Sequence, residues 1–152
     1  MPYHRKSCFS CQQQTMSLLF AIAERGVPHE AIFHETIYSY RAIGRCSACG
    51  RAQLERHPHD CWGYHGDEDW EMYWWFLFDP AVTQPLLNLI NHCPTPLDPY
   101  CKCDSHQQIR TASEYLHSPI PHVVYANDQT PFNQVTLSTE SNKLTFKLVD
   151  SP

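Results

Sequence analysis

The chain lacks the features that mark membrane-spanning, secreted or nucleotide-binding proteins. It has only five glycines in 152 residues, and none are clustered as in a phosphate-binding loop. No apolar run approaches the roughly 20 residues that cross a bilayer, and no charged start, apolar run and cleavage site predict a secretion signal. We therefore expect a cytoplasmic protein. Its length predicts a single domain, residues 1–152, with parts 1–62 and 63–152.

Lysine and arginine are also scarce, and neither occurs between residues 57 and 101. The formal net charge is −5. Metal-bound thiolates would bring it to about −8, since each ligating thiol loses its proton. Nonspecific binding to nucleic acid depends on cationic side chains that contact phosphates, so the charge argues against such binding.

Cysteine, in contrast, is abundant, with eight residues. Two Cys-x-x-Cys pairs, Cys8 with Cys11 and Cys46 with Cys49, could together hold one metal ion. Gly50 can take the positive φ that the turn of a zinc knuckle needs, and strand-like segments flank this second pair. Four disulfides are the alternative, but the missing secretion signal favours metal ligation.

A second predicted zinc site is formed by Cys93, Cys101, Cys103 and His106. The cysteines lie in a loop, and a following helix would direct its histidine towards them. Three thiolates and one imidazole fill a tetrahedral site and leave no place for water, so both zinc ions would be structural. His92 competes with His106 as the fourth ligand. Cys61 either replaces a member of one site or is an ordinary core thiol.

The apolar pattern predicts an α+β fold: an antiparallel β-sheet with a zinc-ribbon-like hairpin and two or three short helices. Residues 15–25 have helical spacing, although residues 18–22 could instead be a strand returning from the first knuckle. Residues 70–78 predict a strand that is apolar on both faces, and therefore either central in the sheet or pressed against a partner.

Two later helices and three strands complete the predicted fold. One helix should start near Thr83, because Pro85 is tolerated only in a first turn. The next would be capped by Asp104, and its apolar face consists of Ile109, Ala112 and Leu116. Residues 121–126, 135–138 and 144–149 predict strands.

Catalysis is the weakest of the functions considered. Residues 57–61, read His-Pro-His-Asp-Cys, lie near His65 and Glu68 and supply ligand types for a zinc-dependent hydrolase. The chain lacks the His-Glu-x-x-His order of zincins and the His-x-Glu…Pro-Cys-x-x-Cys order of zinc deaminases. A pairing of Cys61 with a histidine base is easily found by chance. We expect no catalytic residues.

Two binding hypotheses remain. A nucleic-acid-associated zinc ribbon would use the arginines around the second knuckle, Arg41, Arg45, Arg51 and Arg56. A protein-binding module would instead use aromatic anchors within an acidic rim. Its candidate residues are Asp67, Glu68, Asp69, Trp70, Glu71, Tyr73 and Trp75. The alternative for the acidic segment is an ordinary loop over core aromatic residues.

Four motifs follow one another over residues 36–117: Cys-x-x-Cys-Gly, His-Pro-His-Asp-Cys-Trp, Asp-Glu-Asp-Trp-Glu-Met-Tyr-Trp-Trp and Cys-Pro-x-Pro-Leu-Asp-Pro-x-Cys-x-Cys…His. Their order resembles that of small bacterial cysteine-rich proteins. As a small acidic chain, the protein also resembles in type the immunity proteins that neutralise toxins of bacterial competition. That resemblance implies a basic toxin domain as partner, but no immunity residue can be carried over by motif.

Overall fold

The structure is a computed structural model and describes residues 6–23, 40–57, 74–114, 116, 132–140 and 143–149. Within these ranges the chain forms six strands and two helices. They are β1 Met16–Ala23, β2 Tyr40–Cys46, β3 Ala52–His57, β4 Trp74–Phe78, α1 Pro80–Asn91, α2 Asp104–Ser113, β5 Asn133–Glu140 and β6 Lys143–Leu148.

The strands form one sheet in the order β1-β2-β3-β4-β5-β6. All neighbours are antiparallel except β4 and β5, which are parallel. The α+β prediction is confirmed, but the prediction of a wholly antiparallel sheet is wrong. The reason is the connection between β4 and β5, which contains both helices and returns the chain to the same end of the sheet, as a parallel pair requires.

The predicted helix over residues 15–25 is wrong, and the alternative of a returning strand is right. β1 pairs with β2 from Met16 opposite Cys46 to Ala23 opposite Tyr40, with a register irregularity between Leu18 and Phe20. Residues 20–23 are all buried. A short run that is buried on both faces has no period of two, and its apolar residues can match helical spacing by coincidence.

The other strand predictions agree with the structure where it describes them. β2 and β3 form the hairpin around the second Cys-x-x-Cys pair. β4 lies between β3 and β5. Both of its faces are apolar because both pack in core clusters, Phe76 and Phe78 with the helices and Trp75 on the other face. β5 and β6 pair as the predicted C-terminal hairpin. The strand predicted over residues 121–126 lies outside the described residues.

α1 begins earlier than predicted, and α2 has a different cap from the one predicted. α1 begins at Pro80, and Asp79 caps it by accepting a hydrogen bond from the Ala81 N–H (3.0 Å). Pro85 therefore lies inside the helix, where it has no N–H to donate to the carbonyl four residues back. The cap of α2 is Cys103, whose sulfur accepts from the His106 N–H, and Asp104 is the first helical residue.

The main core lies between the sheet and the two helices. Its members come from all six strands and both helices, and include Phe20, Ile43, Leu54, Phe76, Phe78, Leu86, Ile109, Val135 and Phe146. The predicted apolar face of α2 is confirmed, because Ile109, Ala112 and Leu116 are buried. α2 contacts β6 at one edge of the sheet and the backbone of β1 at the other. α2 therefore contacts both edge strands, and His106 lies at the β1 edge.

Candidate metal centres

The first cluster joins both Cys-x-x-Cys pairs. Cys8 and Cys11 precede β1, Cys46 ends β2, and Cys49 lies in the turn before β3. Their ligand atoms all lie within 4.8 Å of one another, with Cys8 Sγ 3.5 Å from Cys49 Sγ and Cys11 Sγ 3.6 Å from Cys46 Sγ. A tetrahedral zinc ion with Zn–S bonds of ~2.3 Å separates its sulfurs by about 3.8 Å. The spacing fits a shared ion and far exceeds a disulfide bond of ~2.05 Å.

The two pairs have the same local backbone fold. The N–H of Gln12 donates to the Cys8 carbonyl, and the N–H of Gly50 donates to the Cys46 carbonyl, each at 2.9 Å. Gln12 and Gly50 both have positive φ, 64° and 80°. The sequence predicted this turn at Gly50 but not at Gln12, because a non-glycine residue seldom adopts that conformation.

Each turn also directs backbone N–H groups at a cysteine sulfur. Ser10 N lies 3.3 Å from Cys8 Sγ, and Cys49 N lies 3.4 Å from Cys46 Sγ. Such bonds stabilise thiolates and orient metal ligands. Burial acts against ionisation of Cys46, but hydrogen bonds from Thr15 and from backbone amides outweigh it and lower the pKa of Cys46 to about 6.

The balance is reversed at Cys8, where burial outweighs the backbone hydrogen bonds and raises the pKa of the thiol to about 12. The sulfurs of Cys8 and Cys49 are close enough that two thiolates would repel each other strongly without a cation. Without a metal ion, the cluster is therefore consistent with a neutral thiol at Cys8 beside the readily ionised Cys46. It becomes a set of four thiolates only when a metal ion displaces the protons.

Two side chains that the sequence did not reveal support this cluster. Gln53, buried in β3, accepts a hydrogen bond from the Phe9 N–H (3.3 Å) and donates to the Ser7 carbonyl (3.2 Å). Its side chain therefore links the backbone of the first turn to β3. Thr15 Oγ1 lies 2.9 Å from Cys46 Sγ. No sequence pattern marks either residue, because both contacts arise only when β1, β2 and β3 are assembled.

The second cluster is the predicted Cys93, Cys101, Cys103 and His106. Cys93 follows α1, Cys101 and Cys103 precede α2, and His106 lies in the first turn of α2. Cys93 Sγ is 3.8 Å from Cys101 Sγ, and His106 Nδ1 is 3.1 Å from Cys93 Sγ and 3.4 Å from Cys103 Sγ. These separations fit a tetrahedral ion with three sulfur ligands and one nitrogen ligand.

The orientation of His106 is fixed by the carbonyl of Ala21, which lies 3.1 Å from Nε2. A carbonyl oxygen can only accept, so Nε2 carries the proton and the lone pair of Nδ1 faces the sulfurs. Burial lowers the pKa of His106, which favours the neutral ring that binds metal. His92, the competing fourth ligand, lies with Nδ1 2.6 Å from the Asn88 carbonyl and is exposed.

The thiols of this cluster are also unequal. Burial raises the pKa of Cys93 to about 12. A hydrogen bond with Thr95 and another from the Cys103 amide lower the pKa of Cys101. All seven cysteines in the described part of the chain are free of disulfide bonds, and all seven belong to one of the two clusters. Cys61 lies outside the described residues.

The arginines proposed as a nucleic-acid surface are largely engaged within the fold. Arg41, only 1% exposed, donates to the Arg110 carbonyl and to Ser113 Oγ. Arg56 donates to the carbonyls that follow α2, those of Glu114 and Leu116. These bonds satisfy the acceptors at the negative end of a helix. Arg51 donates to the Phe78 carbonyl, and of the four only Arg45 is exposed.

Most of the candidate partner surface lies outside the described residues, namely Asp67, Glu68, Asp69, Trp70, Glu71 and Tyr73. Trp75 is described and is 1% exposed, in a second core cluster with Tyr40 and Ala42 on the sheet face opposite the helices. The candidate hydrolytic residues His59, Cys61, His65 and Glu68 also lie outside the described residues, as does the side chain of His57.

No protein-family model, curated protein or solved structure matches this chain. Among the described residues, neither helix is long and apolar enough to cross a membrane.

Proposed function

We propose that the chain is a non-catalytic protein-binding module held together by two structural zinc ions. The observation that carries this proposal is that each cluster offers four protein donors, spaced as a tetrahedral ion requires. Sets of four cysteines, or of three cysteines and one histidine, are typical of structural zinc. A catalytic zinc keeps one position for water or substrate, and these sets leave none.

Zinc is favoured over other metals by the donor chemistry. Thiolates are soft ligands, and tetrahedral all-sulfur or mixed sulfur and nitrogen sites select zinc or iron. Because the second cluster includes a neutral imidazole whose other nitrogen is fixed by a carbonyl, it has the outer-shell support of a zinc-bound histidine. Cys8, Cys11, Cys46 and Cys49 then make a zinc-ribbon-like hairpin of β2 and β3.

The proposed binding surface is the acidic segment that precedes β4. Its aromatic residues would anchor a partner, and Asp67, Glu68, Asp69 and Glu71 would attract a basic one. Trp75 contributes indirectly, because its ring is buried and fixes the start of β4. Phe9, between the cysteines of the first pair, contacts that ring edge-on with centroids 6.4 Å apart. Zinc in the first cluster would therefore stabilise the strand that carries the surface.

The proposed partner is a basic toxin domain, as the resemblance to immunity proteins implies. The test is to look for a toxin gene beside this gene and to co-express its toxin domain with this chain, using growth as the readout. The native chain should restore growth, and a variant with Asp67→Asn, Glu68→Gln, Asp69→Asn and Glu71→Gln should not. Asp104→Asn, an exposed carboxylate in α2, is the matched control and should protect as well as the native chain. Toxicity unchanged by the native chain would contradict immunity.

A further inference from the structure

β1 has the composition of a strand that would pair with another chain if it were an uncovered sheet edge. It lies at one end of the sheet order, and its eight residues, MSLLFAIA, include no charge, proline or glycine. An uncharged apolar edge strand is a template for pairing with another chain. Natural sheets place lysine or proline in such strands or cover them, and β1 has neither residue.

The cover is the segment between the second cluster's first two cysteines. Ala21 N–H donates to the Pro96 carbonyl and Ala23 N–H donates to the Pro99 carbonyl, both at 3.0 Å. The outward carbonyls of the same two residues accept from side chains of α2. Ala21 O lies 3.1 Å from His106 Nε2, and Ala23 O lies 2.6 Å from Arg110.

The covering segment cannot itself extend the sheet. Pro96 and Pro99 accept hydrogen bonds through their carbonyls but have no N–H to offer a further strand. It also contains no helix or strand of its own, so its position depends on its ends. Cys93 lies at one end and Cys101 and Cys103 lie at the other, and the fourth ligand, His106, bonds directly to Ala21.

We propose that the metal ion of the second cluster keeps the β1 edge covered, and that loss of this ion lets the edge pair with β1 of a second copy of the chain. This inference rests on metal binding as proposed above. With the ion bound, both ends of the covering segment and the ring of His106 share one anchor. Without it, Cys93 and Cys101 have no covalent link or shared ligand between them, and the hydrogen bonds at Ala21 and Ala23 must compete with water or another strand.

The experiment compares Cys101→Ser with Cys49→Ser by amide hydrogen exchange, after metal analysis of each. Both residues are incompletely buried, and each substitution removes one ligand from one cluster. Cys101→Ser should speed exchange of the Ala21 and Ala23 amides about tenfold or more while the Leu54 amide in central β3 stays protected. It should also make the protein associate as its concentration rises. Cys49→Ser should change neither readout.

Ser17→Glu tests the association itself. Ser17 is exposed on β1 and lies opposite Arg45, so a glutamate there gains a favourable cross-strand pair and adds a charge to the edge. In the Cys101→Ser background it should restore a monomer while exchange at Ala21 and Ala23 stays fast.

Four results would overturn the inference. The first two are unchanged amide exchange at Ala21 and Ala23 in Cys101→Ser, and fast exchange there without association. The third is the same effects in Cys49→Ser. The fourth is loss of protection at Leu54, which would mean that the cluster stabilises the whole sheet rather than one edge. Metal content reports separately on the proposed function. A native chain without zinc would contradict that function, whereas two ions with an unaltered edge would contradict only this inference.

Discussion

Phe9 contacts Trp75 edge-on across the sheet face opposite the helices, with ring centroids 6.4 Å apart. Phe9 also stacks on Phe132 at 4.5 Å. Because Phe9 lies between Cys8 and Cys11, the first metal cluster is joined to the second core cluster through one side chain. The cluster therefore does more than close the hairpin of β2 and β3, since it also fixes β4 and the residue before β5.

Phe9→Ala should therefore destabilise the fold without removing metal. Phe9 is partly buried, so the loss should be about 1–2 kcal/mol, below that of a fully buried phenylalanine. The measurement is urea unfolding combined with metal analysis, and zinc should remain at two ions per chain. Leu97→Ala, at a side chain that is 54% exposed, is the control and should leave stability unchanged. An equal loss of unfolding free energy in the two variants would show that the contacts of Phe9 with Trp75 and Phe132 do not stabilise the fold.

Gln53→Leu should weaken the first metal cluster and leave the second intact. The change removes one acceptor and one donor that fix the backbone on either side of Cys8, at a cost of about 1–3 kcal/mol. One zinc ion should then transfer to a coloured chelator faster than in the native chain, and the other at the native rate. Faster release of both ions, or of neither, would count against this role.

Arg41→Met should reduce the free energy of unfolding by about 2 kcal/mol, because the carbonyl of Arg110 and the hydroxyl of Ser113 lose a buried donor. Arg45→Met at the exposed neighbour should change it by no more than about 0.5 kcal/mol. Urea unfolding measures both. A larger loss of unfolding free energy in Arg45→Met than in Arg41→Met would contradict the assignment of Arg41 as the buried, stabilising arginine. Binding of nucleic acid by the native chain that is lost in Arg45→Met would favour the alternative function.

His106→Ala should lower zinc from two ions per chain to one, whereas His92→Ala should leave two. The reason is that His106 Nδ1 faces the cysteine sulfurs, while His92 Nδ1 faces the Asn88 carbonyl. Metal analysis after dialysis distinguishes the two variants. Loss of an ion from His92→Ala alone would show that the wrong histidine has been assigned.

The sequence predicted the clusters more successfully than the elements around them. Cysteine spacing is local, so the grouping of Cys46 with Cys49, and of Cys101 with Cys103, follows from a few residues. β1 was predicted as a helix because residues 20–23 are buried on both faces of the strand, so its apolar residues lack the period of two that marks a half-buried strand. The packing that covers both faces is not visible in residues 16–23. The positions of Gln53 and Arg41 likewise depend on contacts made across the sheet, which no local pattern contains.

The parallel pairing of β4 with β5 was not predicted for a similar reason. The strands themselves are recognisable from their apolar residues. Their relative direction depends on the path of the connection between them, which contains α1 and α2. The cap of α2 was predicted at Asp104, since aspartate is a common cap. Cys103 takes this position because its sulfur serves both the helix N-terminus and the metal cluster.

The most direct test of two structural zinc ions is metal and thiol analysis of the intact protein, purified without added metal and kept from oxidation. About two zinc ions per chain should be bound, with the cysteines of both clusters reduced and protected from thiol reagents until a chelator is added. Less than one zinc ion per chain, with cysteines joined in pairs as disulfides, would contradict the account.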